Sequence, residues 1–271
     1  MISRVTSPLE KIIAITGASA GIGRAVAERA AAEGAVVVLS ARRANLLHEV
    51  AAGITARGGR ALAVPGDVTN EADMRALVAR AVETYGRLDV MICNAGIGYH
   101  DAFADTPTDV MRRLVDVNLM GTLFAAHAAI AHFTARRSGH IIAISSIVGR
   151  RGIPGSSVYS ATKFAQVGLI EGLRAELAGT GIVASLVYPI STQTEFHAAI
   201  KRDFGHSVQG NGPRQSADHV ARAIVACIRH PRPEVYPYPR AWWLAVVSVI
   251  APALADRLVQ KYSRRRTETR S

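Results

Sequence analysis

The sequence has little cysteine, few aromatic residues and no long apolar run at its start. Its two cysteines, Cys93 and Cys227, are far apart in 271 residues and fit neither metal nor redox spacing, which is typical of a reducing compartment. The nine histidines form no HxxxH or HExxH pair, so we expect no metal site. The first ten residues lack the apolar core of a signal peptide, and we therefore predict a cytoplasmic protein.

Acidic residues are also few: the chain has 21 of them and 32 lysines and arginines, which gives a net charge of +11. Such an excess can indicate nucleic acid or an anionic membrane surface as a partner. The chain carries no recognisable nucleic-acid module and no interleaving of aromatic and basic residues, so we predict no nucleic-acid partner. A hydrophobic content of 49% with 20% charged residues is typical of a globular protein.

Short apolar runs alternate with longer helical patterns along most of the chain. We predict strands at 11–16, 35–40, 61–65, 88–93, 140–145 and 182–188, and helices at 21–33, 44–57, 71–85, 108–137 and 157–177. A helix at 216–228 and a short strand near 235–236 would close the sheet. Continuous apolar strands separated by helices indicate an α/β fold, a doubly wound parallel sheet of the Rossmann type covered on both faces. We assign it to one domain, residues 1–236.

Two segments depart from this alternation. Residues 190–213 are polar and glycine-bearing, which predicts a mobile substrate-loop insertion over a site. Residues 237–271 form a C-terminal helical extension whose apolar run, 242–251, is about half the length needed to span a bilayer. Two interpretations stay open: a peripheral membrane contact through 240–266, or a helix packed over the substrate pocket or another subunit. We favour the second.

A glycine-rich turn stands between the first strand and the first helix. Gly17, Gly21 and Gly23 occur where the chain must turn tightly and approach a pyrophosphate at a helix N-terminus. The second strand ends in Arg42 and Arg43 without the acidic residue that favours a ribose 2′-hydroxyl. Two guanidiniums suit a 2′-phosphate, so we predict NADP(H) over NAD(H); the alternative is a solvated arginine pair that opens a helix.

Polar residues follow the other strands. Asp67 with Val68, and Asn94 with Ala95 and Gly96, lie at carboxyl ends of strands, where ligands bind in such sheets, although each motif alone suits a turn. A mid-helix Asn118 is locally unfavourable and, taken alone, is more often a packed polar residue than a functional one.

The strongest chemical signal lies between 145 and 163. Ser145 and Ser146 end an apolar strand, and Tyr159 and Lys163 share one helix face at i and i+4. A phenol is a poor acid or base near neutrality, and an adjacent cation favours its ionised form. Ser146 could hydrogen-bond the same substrate oxygen. An isolated YxxxK pattern is usually a plain helix surface, so its meaning depends on the other motifs.

Assembled in order, these residues resemble the single-domain form of the short-chain dehydrogenase/reductase family over residues 10–236. The resemblance rests on TGASAGIG at 16–23, Asp67, NAG at 94–96, Asn118 in VNLMG, Ser146 and YSATK at 159–163. Ser146 is preferred over Ser145 because it precedes Tyr159 by 13 positions, the family's usual spacing.

The resemblance implies a role for each matched residue. Tyr159 would be the acid/base, Lys163 would bind the nicotinamide ribose and favour the tyrosinate, and Ser146 would polarise the carbonyl. Asn118 would hold the helix geometry and a water that links Lys163 to solvent. The implied catalytic set is Asn118, Ser146, Tyr159 and Lys163. The implied cofactor contacts are Gly17, Ser19, Gly21, Ile22, Gly23, Arg42, Arg43, Asp67, Val68, Asn94, Ala95, Gly96, Tyr159, Lys163, Pro189, Thr192 and Thr194.

Three positions depart from the family pattern. Cys93 stands where many relatives have Asn, Ile190 replaces the usual Gly after Pro189, and Ala20 replaces a basic residue of some NADP-dependent members. The second change bears on the path of the loop to Thr194, and the third places the cofactor prediction mainly on Arg42.

We therefore expect an NADP(H)-dependent oxidoreductase that interconverts a carbonyl and an alcohol. The apolar extension and the insertion suggest that its substrate is lipophilic. One alternative is a non-catalytic NADP(H)-binding or membrane-associated regulator on the same fold. Another is a sugar-nucleotide epimerase or dehydratase, against which the glycine spacing and the lack of a larger C-terminal domain argue. Relatives commonly pair through helices equivalent to 108–137 and 157–177, so a homodimer or homotetramer is expected.

Overall fold

A parallel sheet forms the centre of the molecule, and the computed structural model describes residues 7–204 and 213–267. The sheet has seven strands in the order β3-β2-β1-β4-β5-β6-β9, and two further strands, β7 and β8, pair with each other. The strands are β1 (Ile12–Thr16), β2 (Val36–Ser40), β3 (Arg60–Ala63), β4 (Val90–Cys93), β5 (Gly139–Ile144), β6 (Ile182–Val187), β7 (Thr192–Gln193), β8 (Gln215–Ser216) and β9 (Glu234–Val235). The chain runs outward from β1 to β3 and returns to β4 beside β1, which creates a switch point where ligands bind.

Helices connect the strands and cover both faces of the sheet. They are α1 (Gly21–Ala32), α2 (Ala44–Ala56), α3 (Glu71–Tyr85), α4 (Thr108–Leu114), α5 (Gly121–Arg136), α6 (Ser157–Glu176), α7 (Phe196–Phe204), α8 (Ala217–Arg229), α9 (Ala241–Ile250) and α10 (Pro252–Thr267). Local signals set their ends: Asn70 caps α3 by accepting from the amide of Ala72 at 3.0 Å, and Gly86 ends it at a φ of 80°.

Alternate residues of each strand enter opposite layers of the core. In β1, Ile13 and Ile15 pack with α1, α2 and α8, whereas Ile12 and Ala14 pack with α3, α5 and α6. Both sides of the strand are apolar because both faces of the sheet are buried. The prediction of a doubly wound parallel sheet is therefore confirmed.

The long helix predicted at 108–137 is present but is not uniform. A π-helical segment, Val115–Met120, separates α4 from α5. The whole stretch Thr108–Arg136 is long and apolar enough to cross a membrane, but half of its apolar window is buried inside the fold. Its apolar character is explained by packing of Ala125, Ala129 and Phe133 in the core.

The insertion after Pro189 has more regular structure than its composition predicts. Strand β7 pairs with β8 through Thr192 and Gln215, and helix α7 lies between them. Apolar contacts explain the helix, since the Phe196 ring is 6.1 Å from that of Tyr159 and the Phe204 ring is 5.3 Å from that of Tyr99. The glycines at 205, 210 and 212, on which the prediction of a mobile loop rested, lie outside the described residues.

The C-terminal extension folds as two helices joined at the predicted interruption. Helix α9 ends at Ile250, and Pro252 begins α10, where a missing N–H is tolerated. Arg151 holds α10 to the body through the carbonyl of Pro252 at 3.1 Å and through an ion pair with Asp256.

Candidate active site

Tyr159 and Ser146 meet at the carboxyl edge of the sheet. One residue, Ser145, separates Ser146 from the end of β5, and Tyr159 lies in the first turn of α6. The Ser146 hydroxyl is a hydrogen-bond partner of the phenol, accepts from the amide of Val148 at 3.3 Å and reaches the carbonyl of Pro189 at 3.5 Å. Ser145 points the other way and donates to the carbonyl of Lys163 at 3.0 Å. The two neighbouring serines thus have different hydrogen-bond partners, and only Ser146 is bonded to the phenol.

Lys163 is buried beneath this pair with a relative exposure of 4%. Its Nζ donates to the carbonyl of Ile144 at 3.0 Å and to Oε1 of Gln166 at 3.1 Å. Both acceptors are neutral, and burial lowers the pKa of Lys163 to about 7. A proton on this amine can therefore be gained or lost near neutrality.

The pKa of Tyr159 shifts in the direction opposite to the one we expected from a neighbouring cation. Burial raises the pKa of the phenol, and the hydrogen bond from Ser146 lowers it by a smaller amount. The Nζ of Lys163 lies 5.7 Å from the centre of the tyrosine ring and points toward the carbonyl of Ile144. Because desolvation acts on both groups, the protein alone keeps the phenol protonated.

Asn118 occupies the π-helical segment and is fully buried. Its amide makes two reciprocal bonds with Ile97, accepting from the N–H at 2.8 Å and donating to the carbonyl at 3.0 Å, and also donates to Thr162 at 3.1 Å. The side-chain amide of Gln166 donates to the Asn118 carbonyl at 2.8 Å. The hydroxyl of Thr122 donates to the same carbonyl at 2.8 Å, so the backbone oxygen and the side chain of Asn118 are both hydrogen-bonded at this locally unfavourable position.

The glycine turn brings the backbone close to β4. Gly17 has a φ of 67°, and a Cβ on it would stand 2.8 Å from the Cα of Ala95. Asn94 holds this turn by donating its side-chain amide to the carbonyls of Thr16 at 2.9 Å and Gly17 at 3.2 Å. Residue 20, the N-cap of α1, supplies no side-chain hydrogen bond, and the first turn of α1 has no acidic residue. The amides at this helix start suit an anion.

Arg42 and Arg43 reach the same cavity from the end of β2. Arg43 donates to the hydroxyl of Ser19 at 3.2 Å and pairs with Glu195 of the insertion at 3.4 Å. An Arg42 nitrogen lies 4.0 Å from a carboxylate oxygen of Asp67. Arg43 thus contacts residues on two sides of the cavity, whereas Arg42 is half-exposed beside Asp67.

The predicted residues after β6 lie along the opposite rim. The Thr194 side chain packs against Gly21, where an added Cβ would be 3.3 Å from it, and its hydroxyl accepts from the amide of Phe196 at 3.2 Å. The Thr192 hydroxyl donates to the carbonyl of Ile190 at 2.8 Å. The loop thus reaches the glycine turn with Ile190 in place of glycine.

One cavity of about 680 Å³ connects these groups. Of the seventeen positions predicted to contact the cofactor, Gly23 alone does not line it; the Cβ that glycine lacks there would collide with the carbonyl of Gly17. Of the predicted catalytic set, Ser146, Tyr159 and Lys163 line the cavity and Asn118 does not.

Comparison with known proteins decides the family. The profile of the short chain dehydrogenase family matches residues 11–204. The chain belongs to the short-chain dehydrogenase/reductase family. This is a family of oxidoreductases, and an uncharacterized oxidoreductase of Listeria monocytogenes is 42% identical over 187 residues, covering 68% of this chain and 75% of the relative. The uncharacterized oxidoreductase YxnA of Bacillus subtilis is 32% identical over 259 residues, covering 93% and 72%.

Solved structures of the family have the same architecture. A short-chain dehydrogenase from Sphingobium yanoikuyae in complex with NADPH superimposes with a TM-score of 0.78 at 28% identity, over 91% of this chain and 96% of that one. A short chain dehydrogenase/reductase from Burkholderia phymatum in complex with NAD gives 0.83 at 24% identity, over 92% and 96%. The second likeness shows the fold alone.

Several residues in or beside the cavity of this short-chain dehydrogenase/reductase were not identified from the sequence. Gln166, which accepts from Lys163, lies three residues after it on the same helix face, and that spacing was the available signal. His100 is hydrogen-bonded to Ser156, and its ring lies 6.2 Å from that of Tyr159. Glu195 is far in sequence from the Arg43 it meets, so no local pattern indicated it.

Proposed function

We propose that this short-chain dehydrogenase/reductase uses NADP(H) to interconvert a carbonyl and an alcohol on a lipophilic substrate. The observation that carries the proposal is the single cavity, which joins the guanidiniums of Arg42 and Arg43 at one end to the hydroxyls of Ser146 and Tyr159 at the other. Relatives in complex with NADPH and NAD support a nicotinamide cofactor in general.

The residues present fit such a cofactor. Glycine at 17 and 23 lets the turn pack closely on Ala95 and on the start of α1, and that uncapped helix start offers amide donors to a pyrophosphate. A nicotinamide cofactor supplies hydride transfer, which no side chain provides. The protein's own residues bind and orient the cofactor and the substrate, and they exchange a proton with the substrate.

Tyr159 is the group suited to that proton. In the reducing direction the protonated phenol donates to the carbonyl oxygen while Ser146 hydrogen-bonds the same oxygen, which stabilises the charge that develops there. Lys163, with a pKa of about 7, supplies positive charge beneath the phenol and favours the phenolate left behind. Asn118 and Gln166 keep Lys163 in place through buried hydrogen bonds.

The preference for NADP(H) rests on charge at the end of β2. Residues 40–43 are Ser, Ala, Arg and Arg, so an acidic partner for a ribose 2′-hydroxyl is missing from that position. Arg42 is the more exposed guanidinium, with 53% of its side chain accessible, and its nearest carboxylate, that of Asp67, is 4.0 Å away. A 2′-phosphate would pair with Arg42 more strongly than Asp67 does.

Apolar residues in the cavity lining support a lipophilic substrate. Side chains from the insertion and the extension contribute to that lining, among them Phe196, Leu244 and Leu258. Burial of an apolar substrate against such a wall gains about 25 cal/mol per Å² of apolar surface removed from water.

Cofactor titration followed by a carbonyl screen tests this function. Purified protein is titrated with NADPH and NADH, and wild type is compared with Arg42→Ala and with Arg80→Ala, a surface control on α3. We expect a preference for NADPH that Arg42→Ala abolishes and Arg80→Ala retains. Equal binding of the two cofactors by the wild type would refute the role of Arg42.

Turnover decides between an enzyme and the alternative regulator. Tyr159→Phe should abolish reduction of apolar ketones and aldehydes while NADPH still binds, because the phenyl ring keeps the packing and loses the proton. Unchanged turnover in this variant would refute the mechanism. Tight NADPH binding without turnover of any carbonyl by the wild type would instead favour a non-catalytic regulator.

Assembly through α5 and α6, and a cytoplasmic location, stay predictions.

A further inference from the structure

Helix α9 carries no polar face. Ser248 is the one polar residue among its ten, and its hydroxyl donates to the carbonyl of Leu244 at 2.7 Å, one turn back. A helix on the surface of a soluble protein normally presents polar residues opposite its buried side, and a helix that is apolar all round is covered by protein or lipid. Ala241 and Ala245 are buried against the body, so the opposite side of α9 requires a cover.

That opposite side is a continuous apolar surface. Trp242, Trp243, Val249 and Ile250 follow the spacing i, i+1, i+7 and i+8, which places them on one helix face. Their relative exposures are 45%, 62%, 82% and 75%, and Leu254 extends the surface onto α10 with 50%. We call these five residues the outer face. Half of the ten large hydrophobic residues that are exposed in the described chain belong to it.

Charge indicates what covers the outer face. Residues 240–267 contain six basic residues and one acidic residue, Asp256, which already pairs with Arg151. A second copy of the chain carries the same basic segment and a net charge of +11, so bringing the two together is electrostatically unfavourable. An anionic lipid surface attracts the segment instead, at roughly 1 kcal/mol for each basic residue near it.

The dimensions fit a helix that lies in the lipid interface. Helix α9 has ten residues, whereas a bilayer crossing needs about 20. Tryptophans are enriched at the level of the headgroups, where an apolar ring with a polar N–H is well placed, and Trp242 and Trp243 stand at the start of the helix beside Arg240. Peripheral attachment is strengthened by buried apolar area together with attraction of basic residues to anionic lipid, and α9 and α10 supply these two contributions.

The inner side of the same two helices faces the catalytic cavity. Ala241 and Leu244 of α9 and Leu258 of α10 line the cavity that contains Tyr159. The ion pair between Arg151 and Asp256 ties α10 to the loop that follows Ser146. One pair of helices therefore separates the outer face from the reacting groups.

We propose that α9 and α10 bind an anionic lipid bilayer through the outer face and that the substrate is a membrane-dissolved apolar carbonyl compound or alcohol, delivered between these helices to Tyr159. The substrate part rests on the proposed function, whereas the lipid surface does not.

Vesicle binding tests the surface without any need for turnover. Full-length protein with bound NADPH is sedimented with phosphatidylcholine vesicles that contain phosphatidylglycerol, and with vesicles of phosphatidylcholine alone. We expect binding to the anionic vesicles, weakened at least about tenfold by the double substitution Trp243→Glu and Ile250→Glu, equivalent to about 1.4 kcal/mol. Phe103→Glu is the matched control, because Phe103 is as exposed as Trp243, at 62% each, and lies outside the outer face. It should bind as the wild type does.

A second variant addresses charge. Replacing the arginines at 264–266 by glutamine should weaken binding to anionic vesicles and reduce its dependence on salt. NADPH binding reports folding for every variant. Failure of the wild type to bind, or equal binding by the double variant, would overturn the proposal. A double variant that changes the oligomeric state in solution, with a wild type that ignores vesicles, would show that a second copy covers the outer face.

Turnover of two ketones separates this inference from the proposed function. A long-chain ketone dissolved in anionic vesicles should be reduced at least about tenfold more slowly by the double variant, and a short water-soluble ketone at the wild-type rate. Equal rates on the vesicle-borne ketone would overturn delivery from the bilayer. Vesicle binding without turnover of either ketone would refute the proposed function and leave the lipid surface standing.

Discussion

The buried amine of Lys163 should make the stability of the cofactor-free protein rise with pH. Burial lowers the pKa of this lysine from 10.5 to about 7. Because the folded-state pKa lies below the unfolded one, the unfolded chain binds more protons between about pH 7 and pH 10.5, and unfolding becomes less favourable as pH rises through that window. At and below neutrality the protein bears the full cost of burying the cation.

The size of the effect follows from the two pKa values. For a single group the slope cannot exceed about 1.4 kcal/mol per pH unit. Integration between pH 7 and pH 9 gives a gain of about 2 kcal/mol in the free energy of unfolding. Lys163→Met removes the ammonium at similar side-chain length and leaves the carbonyl of Ile144 and the amide oxygen of Gln166 without this donor. The loss of these two hydrogen bonds costs the same at every pH. It therefore lowers the free energy of unfolding by a constant amount and does not change its slope against pH.

Urea denaturation of the wild type and Lys163→Met at pH 7, 8 and 9 measures the effect. The difference between the two proteins should change by about 2 kcal/mol across this range, since other titrating groups cancel. Lys11→Met, at an exposed lysine before β1, is the control and should run parallel to the wild type. Parallel curves for Lys163→Met would refute the reasoning, because they would mean that the amine titrates far above neutrality in the folded state.

Three further predictions concern the interior. Gln166→Glu, which places a carboxylate beside the Nζ of Lys163 at the present 3.1 Å, should raise that pKa and flatten the rise of stability above pH 7. Gly23→Ala should weaken NADPH binding at least about tenfold and destabilise the fold by about 1–3 kcal/mol through overpacking, whereas Gly53→Ala in α2 should stabilise by about 0.5–1 kcal/mol. Burial lowers the pKa of His140 to about 4, so stability should fall by about 2 kcal/mol between pH 7 and pH 5, and much less in His140→Gln.

Each of these has an outcome that would contradict it. An unchanged stability profile in Gln166→Glu would show that the amide is not close to the amine. Calorimetry of NADPH binding that gives wild-type affinity for Gly23→Ala would contradict the close approach of α1 to Gly17. For His140 the sign follows from a folded pKa below the unfolded 6.5, so the unfolded chain takes up the proton first as pH falls. Denaturation curves of wild type and His140→Gln that stay parallel between pH 7 and pH 5 would contradict its burial.

The fold was predictable because its signals are local and repeated. Each strand is an uninterrupted apolar run, and each run is followed by a helix, so the parallel order and both covered faces follow from the pattern alone. Helix ends agreed closely where a cap or a left-handed glycine marks them, as at Asn70 and Gly86. The exceptions lie at 115–120 and 192–204. There, a π turn depends on the bonds of Asn118, and a polar helix depends on aromatic contacts of Phe196 and Phe204.

The candidate site was predictable in its members and less so in its energetics. Motif spacing identified Tyr159, Lys163 and Ser146, and the structure places all three at one cavity. Helix spacing placed the lysine beside the phenol, but it could not show that burial raises the pKa of Tyr159 and lowers that of Lys163. Gln166 and Glu195 became visible only through their contacts.

The sequence by itself determined the doubly wound sheet, the family and the turn of glycines beside β4, because hydrophobic periodicity and backbone freedom are properties of short segments. Tertiary structure alone decided which groups share a dielectric environment and which faces are covered. It made Lys163 a weak base, bound Arg43 to Glu195, and gave α9 one side toward the cavity and one toward solvent. Burial is set by residues far apart in the chain, and for that reason it is the quantity that a sequence read in order does not contain.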